Sequence, residues 1–461
     1  MKKYVVLFAF LLSVSSFAQY SQFENTLHPG QGNLEGGLGL NWIDGNLYYK
    51  FHLMPELALG NWGVGLDLNI DIDQNGNIRK EDFNELSDYL SIIRYVRYGL
   101  KHDPVYIKLG ALDYYNLGHG SIMYQYNNSP SIDTRKIGLI ADIDFGNFGF
   151  ESIYSTFAEA GVTAVRGFVR PLRFTSLADV PIISNLEVGG TYAADFNKYS
   201  GVVFTPVVPS GPVILPPVFQ TNPSNYIQAA DKGRMQIVGL DLGLPIIKSS
   251  MLNLLLYADY AKIINYGSGV ATGIMVDVNG LGILNASAKL ERRFNQAHYI
   301  PTYYNSLYEI ERYRIDTVNG TYSTKATELA NLTDPDNGYF GELDLHFAGL
   351  LDIIGSYQRL DKTPNSGELH LVANVSTQGM PIVVRGGYDK INIGTETSIF
   401  KVDNNSFMYF ELGYKPLPYI IVSMLYNWTF TPIRDSNNNI INYEPQKRIE
   451  PRISFEYPLS F

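Results

Sequence analysis

Nearly every stretch of this chain alternates apolar and polar residues with a period of two, and that pattern restricts the fold more than anything else in it. Leu34, Gly36, Leu38, Leu40 and Trp42 share one side; Glu35, Gly37, Gly39 and Asn41 share the other. After the turn Asp44-Gly45-Asn46 the pattern continues through Leu47, Tyr49, Phe51, Leu53, Leu57 and Leu59. Val64, Leu66, Leu68, Ile70 and Ile72 interleave with Gly65, Asp67, Asn69 and Asp71. Later examples are Ile137-Leu139-Ala141-Ile143-Phe145, Leu186-Val188-Gly190-Tyr192 and Leu284-Ala286-Ala288-Leu290. Successive side chains of a strand point to opposite faces, so each run is a strand with one greasy and one wet face.

The connections add a second regularity. Tight turns are expected at Gly60-Asn61-Trp62-Gly63, His102-Asp103-Pro104, Gly146-Asn147, Asn279-Gly280 and Pro416-Leu417-Pro418. Longer polar segments cover 73–91, 113–134, 197–232, 293–338 and 431–446, with short helices expected in Glu81–Ile92 and Ile300–Arg314. If the first strand runs outward, every long segment falls on one side and every tight turn on the other. A soluble sandwich alternates too, but it has no reason to sort its loops by length. The pattern predicts an all-β fold: one transmembrane antiparallel β-barrel of about 20 strands (range roughly 16–22), with short periplasmic turns and long outer loops. The proline-rich stretch 205–224 is read as one of those loops, because the strands on both sides continue the same pattern.

The N-terminus agrees. Lys2 and Lys3 precede the apolar run Tyr4–Leu12, and Ser16 and Ala18 form a small-residue cleavage site, as in a secretory signal peptide. Removing these 18 of 461 residues leaves 443, expected to form a single barrel over 19–461. No later stretch reaches the roughly 18 consecutive apolar residues of a transmembrane helix, so a chain embedded in a membrane would span as strands. Charged residues are only 17%, while Tyr (34), Phe (24) and Gly (42) are abundant, as suits a wall with wet and greasy faces and aromatic rims. Without Lys2 and Lys3, 33 basic residues stand against 45 acidic, a net charge of −12 that argues against nucleic acid as a partner. Cysteine is absent, so neither a disulfide nor a thiolate metal site can form.

The C-terminal strand carries the most specific signal. Ile449, Pro451, Ile453, Phe455, Tyr457, Leu459 and Phe461 alternate with Glu450, Arg452, Ser454, Glu456 and Ser460. Here the chain resembles the porin-like outer-membrane β-barrels of Gram-negative bacteria, in a Bacteroidota-like form. In that family the closing strand ends on an aromatic residue. The resemblance implies an outer-membrane location, outer-membrane lipid around the wall, and recognition of Ile453, Phe455, Tyr457, Leu459 and Phe461 by the barrel-assembly machinery. Pro451 and Pro458 depart from the family pattern, because proline cannot donate to a ladder; they predict an irregular closing strand near both ends.

Two constellations bear on chemistry. Asp71, Asp73, Asn75, Asn77 and Asp82 have the spacing of a calcium loop, with Gly76 at the sharp turn, although Asp82 replaces the usual bidentate Glu and the loop follows a strand. Ca²⁺ is the one cofactor this suggests. The predicted lumen face carries Lys108, Lys136, Arg166, Arg170, Lys289, Arg293, Arg385 and Arg452. It also carries Glu35, Asp67, Asp142, Asp144, Asp259, Glu342, Asp344, Glu450 and Glu456. Separated rows of opposite charge give a pore a transverse field, whereas charges that pair only brace the wall. His119 beside Ser121, in a glycine-rich stretch, lacks the G-x-S-x-G elbow of a hydrolase and reads as a loop folding into the lumen. The sequence therefore points away from an enzyme. It supports passive passage of small polar solutes, with a loop-plugged surface binding or scaffold protein as the first alternative and an outer-membrane hydrolase as the last.

Overall fold

The computed structural model describes residues 32–459, apart from 80–88, 90, 91, 102, 113, 130–135, 159, 207–226, 250, 280–283, 317–320, 349, 350, 377–380, 404, 418, 419 and 435–439. Residues 1–18, Asp82 and Phe461 lie outside the described residues. The wall begins with β1 (Gly32–Ile43), β2 (Asn46–Leu59), β3 (Trp62–Leu66), β4 (Leu68–Asp73), β5 (Ile93–Tyr98) and β6 (Val105–Gly110). It continues with β7 (Gly138–Asp144), β8 (Phe148–Tyr154), β9 (Val162–Val169) and β10 (Glu187–Asp195). A separate hairpin, β11 (Val202–Pro206) and β12 (Ile227–Asp231), precedes β13 (Met235–Lys248), β14 (Leu252–Ile263), β15 (Ser268–Val278) and β16 (Leu284–Asn295). A second hairpin, β17 (Tyr313–Asp316) and β18 (Thr321–Thr324), precedes β19 (Asp336–Phe347), β20 (Leu351–Leu360) and β21 (Gly367–Ser376). The wall ends with β22 (Ile382–Ile393), β23 (Ser406–Leu417), β24 (Ile420–Arg434) and β25 (Ile440–Leu459).

Each wall strand pairs antiparallel with the next, and β1 pairs with β25 from Gly32↔Leu459 to Ile43↔Arg448. The sheet is therefore a closed ring. β3 and β4 are halves of one strand: both pair with β2 in the same register (Glu56↔Gly65, Leu53↔Leu68) and part only at Asp67, whose amide donates to the Ile92 carbonyl at 2.7 Å. Merging these two of the 21 sheet segments gives 20 strands among the described residues, an even number that puts Gly32 and Leu459 at the same end. The fold is the antiparallel transmembrane barrel expected from the alternation.

The polarity of the wall is the inverse of a soluble core. Leu38, Leu240 and Leu290 are 65%, 63% and 64% exposed, whereas Glu411, Arg448 and Lys289 are 0%, 2% and 3% exposed. Water would penalise that arrangement and hydrocarbon favours it. Exposed aromatics mark both rims. Trp62, Phe145 and Phe148 sit at the turn end, with Phe145 against Phe148 at 5.1 Å; Tyr192, Tyr260, Phe294 and Tyr339 sit toward the loop end. Rings with apolar bodies settle at membrane–water boundaries.

The long connections 74–92, 111–137, 196–234 and 296–335 leave from one end. Three expectations need correction. The segment 431–446 is mostly strand, because β24 and β25 extend one long hairpin through Thr431↔Glu444 to Arg434↔Ile440. At the opposite end, the connection 170–186 is not a tight turn. It folds into two short 3-10 turns, Pro171–Phe174 and Ile183–Asn185. The closing strand is irregular at one proline only. Pairing with β1 skips from Gly39↔Arg452 to Trp42↔Ile449 around Pro451 without changing register, while Pro458 still opposes Asn33. A missing amide removes a bond, not a residue, so the register survives.

Leu240→Arg, placing a charge on the hydrocarbon face, should cost about 2–4 kcal/mol in reversible denaturant unfolding from lipid vesicles. A loss below about 0.5 kcal/mol would mean that this face is not in the bilayer.

Candidate functional site

The lumen is crossed by a bridge of two loops. The first, 111–129, folds inward because Tyr114, Gly118, Gly120 and Gln125 take left-handed backbone conformations (φ 54°, 56°, 92° and 48°). Its base is closed by Asn128: Leu112 N donates to Asn128 Oδ1 (3.1 Å), Asn128 N donates to the Leu112 carbonyl (2.9 Å), and Asn128 Nδ2 donates to the Ser155 carbonyl (2.7 Å). Its flanks reach the wall at β7 and β8, where the Tyr115 hydroxyl donates to Asp142 at 2.7 Å and the Gly118 amide to Glu151 at 2.6 Å. Its tip reaches the far side of the ring. His119 Nδ1 lies 2.8 Å from Asp259 on β14 and stacks on Tyr257 at 4.5 Å. Lys289 on β16 donates to the His119 carbonyl, and the Tyr124 hydroxyl donates to Glu342 on β19.

The second loop, 296–335, lies along the first. Met123 and Tyr304 form a parallel bridge, and Tyr304 N, Tyr124 N and Thr302 N donate to the carbonyls of Ile122 (3.1 Å), Tyr304 (3.1 Å) and Ser121 (2.9 Å). Tyr303, Tyr304 and Tyr308 are fully buried against one another, with centroids 4.8–5.7 Å apart. The two loops and the inward side chains Ile140, Ile153, Val162, Ile237 and Ile263 form one apolar cluster. The lumen face is thus apolar where the loops cover it and charged elsewhere.

Charged groups lock the second loop. On its helix Tyr308–Glu311, Glu309 accepts from the Tyr126 hydroxyl (2.6 Å), Lys136 Nζ (2.7 Å) and Arg312 Nη2 (2.9 Å). Arg312 also meets Asp195 at 2.7 Å, as does the Tyr308 hydroxyl. The helix Lys325–Asn331, capped by the Thr324 side chain, pairs Lys325 with Glu311. Burial alone would raise the Glu309 carboxyl, but Arg312 and Lys136 draw it down to about 2.

The lumen charges expected from sequence whose side chains are described face inward, and most are paired; those of Glu35 and Glu456 lie outside the described side chains. Arg166 contacts Asp241 (2.6 Å), Glu187 (2.7 Å) and Glu151 (3.7 Å); Arg170 contacts Asp144 and Glu187, each at 2.8 Å. Asp142 takes Lys101 at 2.7 Å, and Lys289 meets Glu291 at 3.4 Å. Glu411 lies between Arg385 (3.4 Å) and Arg452 (3.2 Å), and Glu450 accepts from Lys50 at 2.8 Å. Asp67 meets His52 at 3.4 Å; Lys108 lies 4.9 Å over the Tyr95 ring; Asp344 is half-buried on β19 beside His346, whose partner is Asp352. In the calcium-spaced loop, Asp71 is buried and accepts from Asn41 at 3.0 Å, while Asp73 accepts from the Asn75 and Asn77 amides at 2.8 Å each. Among the described residues no three His, Asp or Glu side chains converge as metal ligands. His119 is held by Asp259, whereas Ser121 is engaged through its carbonyl by Thr302.

Sequence reading missed Asp195, Glu309, Arg312 and the three packed tyrosines. The available signal was compositional: two supposedly polar loops contain Tyr114, Tyr115, Tyr124 and Tyr126, and Tyr299, Tyr303, Tyr304, Tyr308 and Tyr313. Solvated loops do not need so many aromatic rings.

Between the second loop and the wall at β20–β22 lies a cavity of about 540 Å³, lined in part by Arg293, Glu311, Lys325, Gln358, Glu368 and Asn392. Gln358 and Glu368 also line a much smaller space, about 30 Å³, bounded by Tyr124, Asn305, His370 and Lys390. The two spaces thus meet the same stretch of wall, at Gln358 and Glu368, the smaller one beside the bridge.

No protein-family model and no curated protein matches the sequence. Among solved structures, Pseudomonas aeruginosa OccK11 (OpdR) is similar at 12% identity and TM-score 0.32, over 93% of this chain and 96% of that one. The P. aeruginosa outer membrane protein OpdK gives 10% and 0.31, over 93% and 99%. Wzi, described as a carbohydrate-binding β-barrel involved in group 1 capsule assembly in Escherichia coli, gives 10% and 0.33, over 97% and 90%. Likenesses at this level carry no argument about what passes through or binds to this chain.

Because the Glu309 carboxyl lies at about 2 in the folded chain, below its ordinary 4.5, its pairing stabilises the bridge fully above about pH 4.5 and is lost as the pH falls toward 2. Proteolysis of the loop 296–335 with an acid-active protease should rise through that window in the native protein. In Glu309→Gln the added acid step should be absent and cleavage already elevated at neutral pH; an identical profile for the two proteins would contradict the role given to Glu309.

Proposed function

We propose that this protein is a porin-like barrel of the outer membrane, delivered through the secretory signal over 1–18, that lets small polar solutes cross beside the two-loop bridge. The observation that supports it is the cavity of about 540 Å³ left between the second loop and the wall, with a smaller space beside the bridge that shares Gln358 and Glu368 with it. A wall of 16 or more strands encloses more space than its own side chains fill, so loops set the aperture. The charges facing the lumen favour hydrated solutes over apolar ones. The barrel performs no catalysis in this reading. Its partners are outer-membrane lipid, the solute, and during insertion the barrel-assembly machinery, which would read Ile453, Phe455, Tyr457, Leu459 and Phe461; the side chains from Phe455 onward lie outside the described residues.

One observation favours a second reading, a binding or scaffold protein with a closed lumen. The bridge is fastened at Asp142, Glu151, Asp259, Lys289 and Glu342, more anchorage than a mobile gate requires.

Planar-bilayer recordings separate the two. The porin reading predicts steady current in the native protein and a severalfold larger conductance in His119→Ala with Tyr124→Phe, which releases the tip from Asp259 and Glu342. A silent native barrel, with current only in the double variant, supports the closed reading.

The loop from Asp71 to Asp82 is proposed as a calcium site only if Asp71 and Asp73 turn away from Asn41 and the Asn75 and Asn77 amides. Binding would then raise the melting temperature at millimolar calcium and protect the segment after Lys80 from protease. Asp71→Ala with Asp73→Ala should remove both effects, and an unchanged response in that variant would rule the site out.

A further inference from the structure

The connection 170–186 lies at the end of the wall where most links are short, yet it has a defined shape. Arg170 N donates to the Asn147 carbonyl at 2.7 Å, and the guanidinium groups of Arg170 and Arg173 both donate to the Gly146 carbonyl at 2.7 Å. Arg173 also holds Asn185 at 2.5 Å, joining the two ends of the segment, and Ser184 N donates to the Val180 carbonyl at 3.2 Å. Polar groups thus fasten the connection to the neighbouring β7–β8 turn and to itself.

Its apolar side chains point away from that framework. Phe174 is 61% exposed, and Leu177, Val180, Ile182 and Ile183 are each exposed by about two-fifths. Between Phe174 and Asn185 the one ionisable side chain is Asp179. An aqueous surface seldom carries five large apolar side chains exposed within ten residues. The patch also continues the hydrocarbon face. Val169 is exposed where β9 enters it, Phe145 and Phe148 flank it on the adjacent turn, and Ile183–Asn185 packs along β13, whose outward Leu242 and Ile247 are exposed.

We propose that residues 171–185 form an interfacial foot: Phe174, Leu177, Val180, Ile182 and Ile183 rest among the acyl chains of the leaflet at the turn end of the barrel. The occupant is the phospholipid of the same bilayer, because the patch runs on from the lipid-facing wall and the arginines beside it are already paired with Asp144 and Glu187 or bonded to Gly146 and Asn185. Arg170 and Arg173, spent on Asp144, Glu187, Gly146 and Asn185, hold the foot at the level of the rim.

The absence of cysteine makes the test direct. Phe174→Cys and Ile182→Cys, each carrying a nitroxide label, are compared in phospholipid vesicles with Leu240→Cys on the wall and Asn75→Cys on an exposed turn. Barrels that keep heat-modifiable gel migration are used. The foot predicts collision with oxygen over a water-soluble nickel reagent at Phe174 and Ile182, severalfold above the ratio at Asn75 and approaching that at Leu240. Nickel access equal to that at Asn75 would overturn the proposal. So would shielding from both reagents, which would mean that protein, not lipid, covers the patch.

Discussion

A backbone amide in hydrocarbon has no water to bond, and each one left unpaired costs several kcal/mol. The structure depends on that constraint. An alternating chain of this length can satisfy its amides in a membrane only if the last strand finds the first, and β25 lies beside β1 over nearly the whole of β1. Pro451 shows the tolerance of the solution. It removes a donor and interrupts pairing with β1 for two residues, but continuous pairing on the β24 side, including Met424↔Pro451, holds the register. Closure also fixes polarity, since a period of two gives every strand one face for lipid and one for the interior.

The interior then becomes the problem. A ring of 20 strands exposes a wet inner wall too wide for its own side chains to fill. The chain fills it with its longest connections. The first loop supplies reach, because left-handed residues such as Gly118 and Gly120 let it double back into the lumen. The second supplies mass, with Tyr303, Tyr304 and Tyr308 packed against the inward isoleucines. Ion pairs such as Glu309–Lys136 and Arg312–Asp195 satisfy the charges that this packing takes out of water. A buried charge without its partner is costly, so the bridge has few alternative resting positions. A cavity of about 540 Å³ remains along β20–β22, lined by charged side chains such as Arg293 and Glu368 and by apolar ones such as Ile300 and Leu360.

Much of the fold was legible because it rests on a local rule repeated many times. Leu38 and Asn41 could be assigned to opposite faces from period alone; which face met lipid followed from the number of strands and the aromatic rims. Loop length placed the long connections at one end, but the tight turn at Asp44-Gly45 and the hairpin over 431–446 lie there too, and at the other end 170–186 is a proline-punctuated segment that looks like any other connection until its exposed side chains are seen together. The bridge was much less legible. His119 could be placed in an inward-folding loop from its flanking glycines, but its partner Asp259 is 140 residues away. Glu309 and Arg312 read as an ordinary helix pair, and nothing local indicates that Lys136 and Asp195 complete the network. Such contacts are set by which strands face one another across the ring, which periodicity does not encode. At Asp71 strand geometry adds what spacing does not encode: alternation turns it inward to Asn41.

Closure is the claim on which the rest stands, and the chain's lack of cysteine allows it to be tested at one point. Leu38 and Ile453 are directly opposite in the β1–β25 ladder and both face outward. Paired residues of this kind bring their Cβ atoms within disulfide reach. Leu38→Cys with Ile453→Cys, oxidised in the membrane and then cleaved by protease in an outer loop, should leave the N- and C-terminal fragments joined on a non-reducing gel and separable with reductant. Leu38→Cys with Arg452→Cys, one residue out of register and facing the lumen, should not cross-link. Free fragments from the first pair, or equal cross-linking of both, would contradict a closed ring in this register.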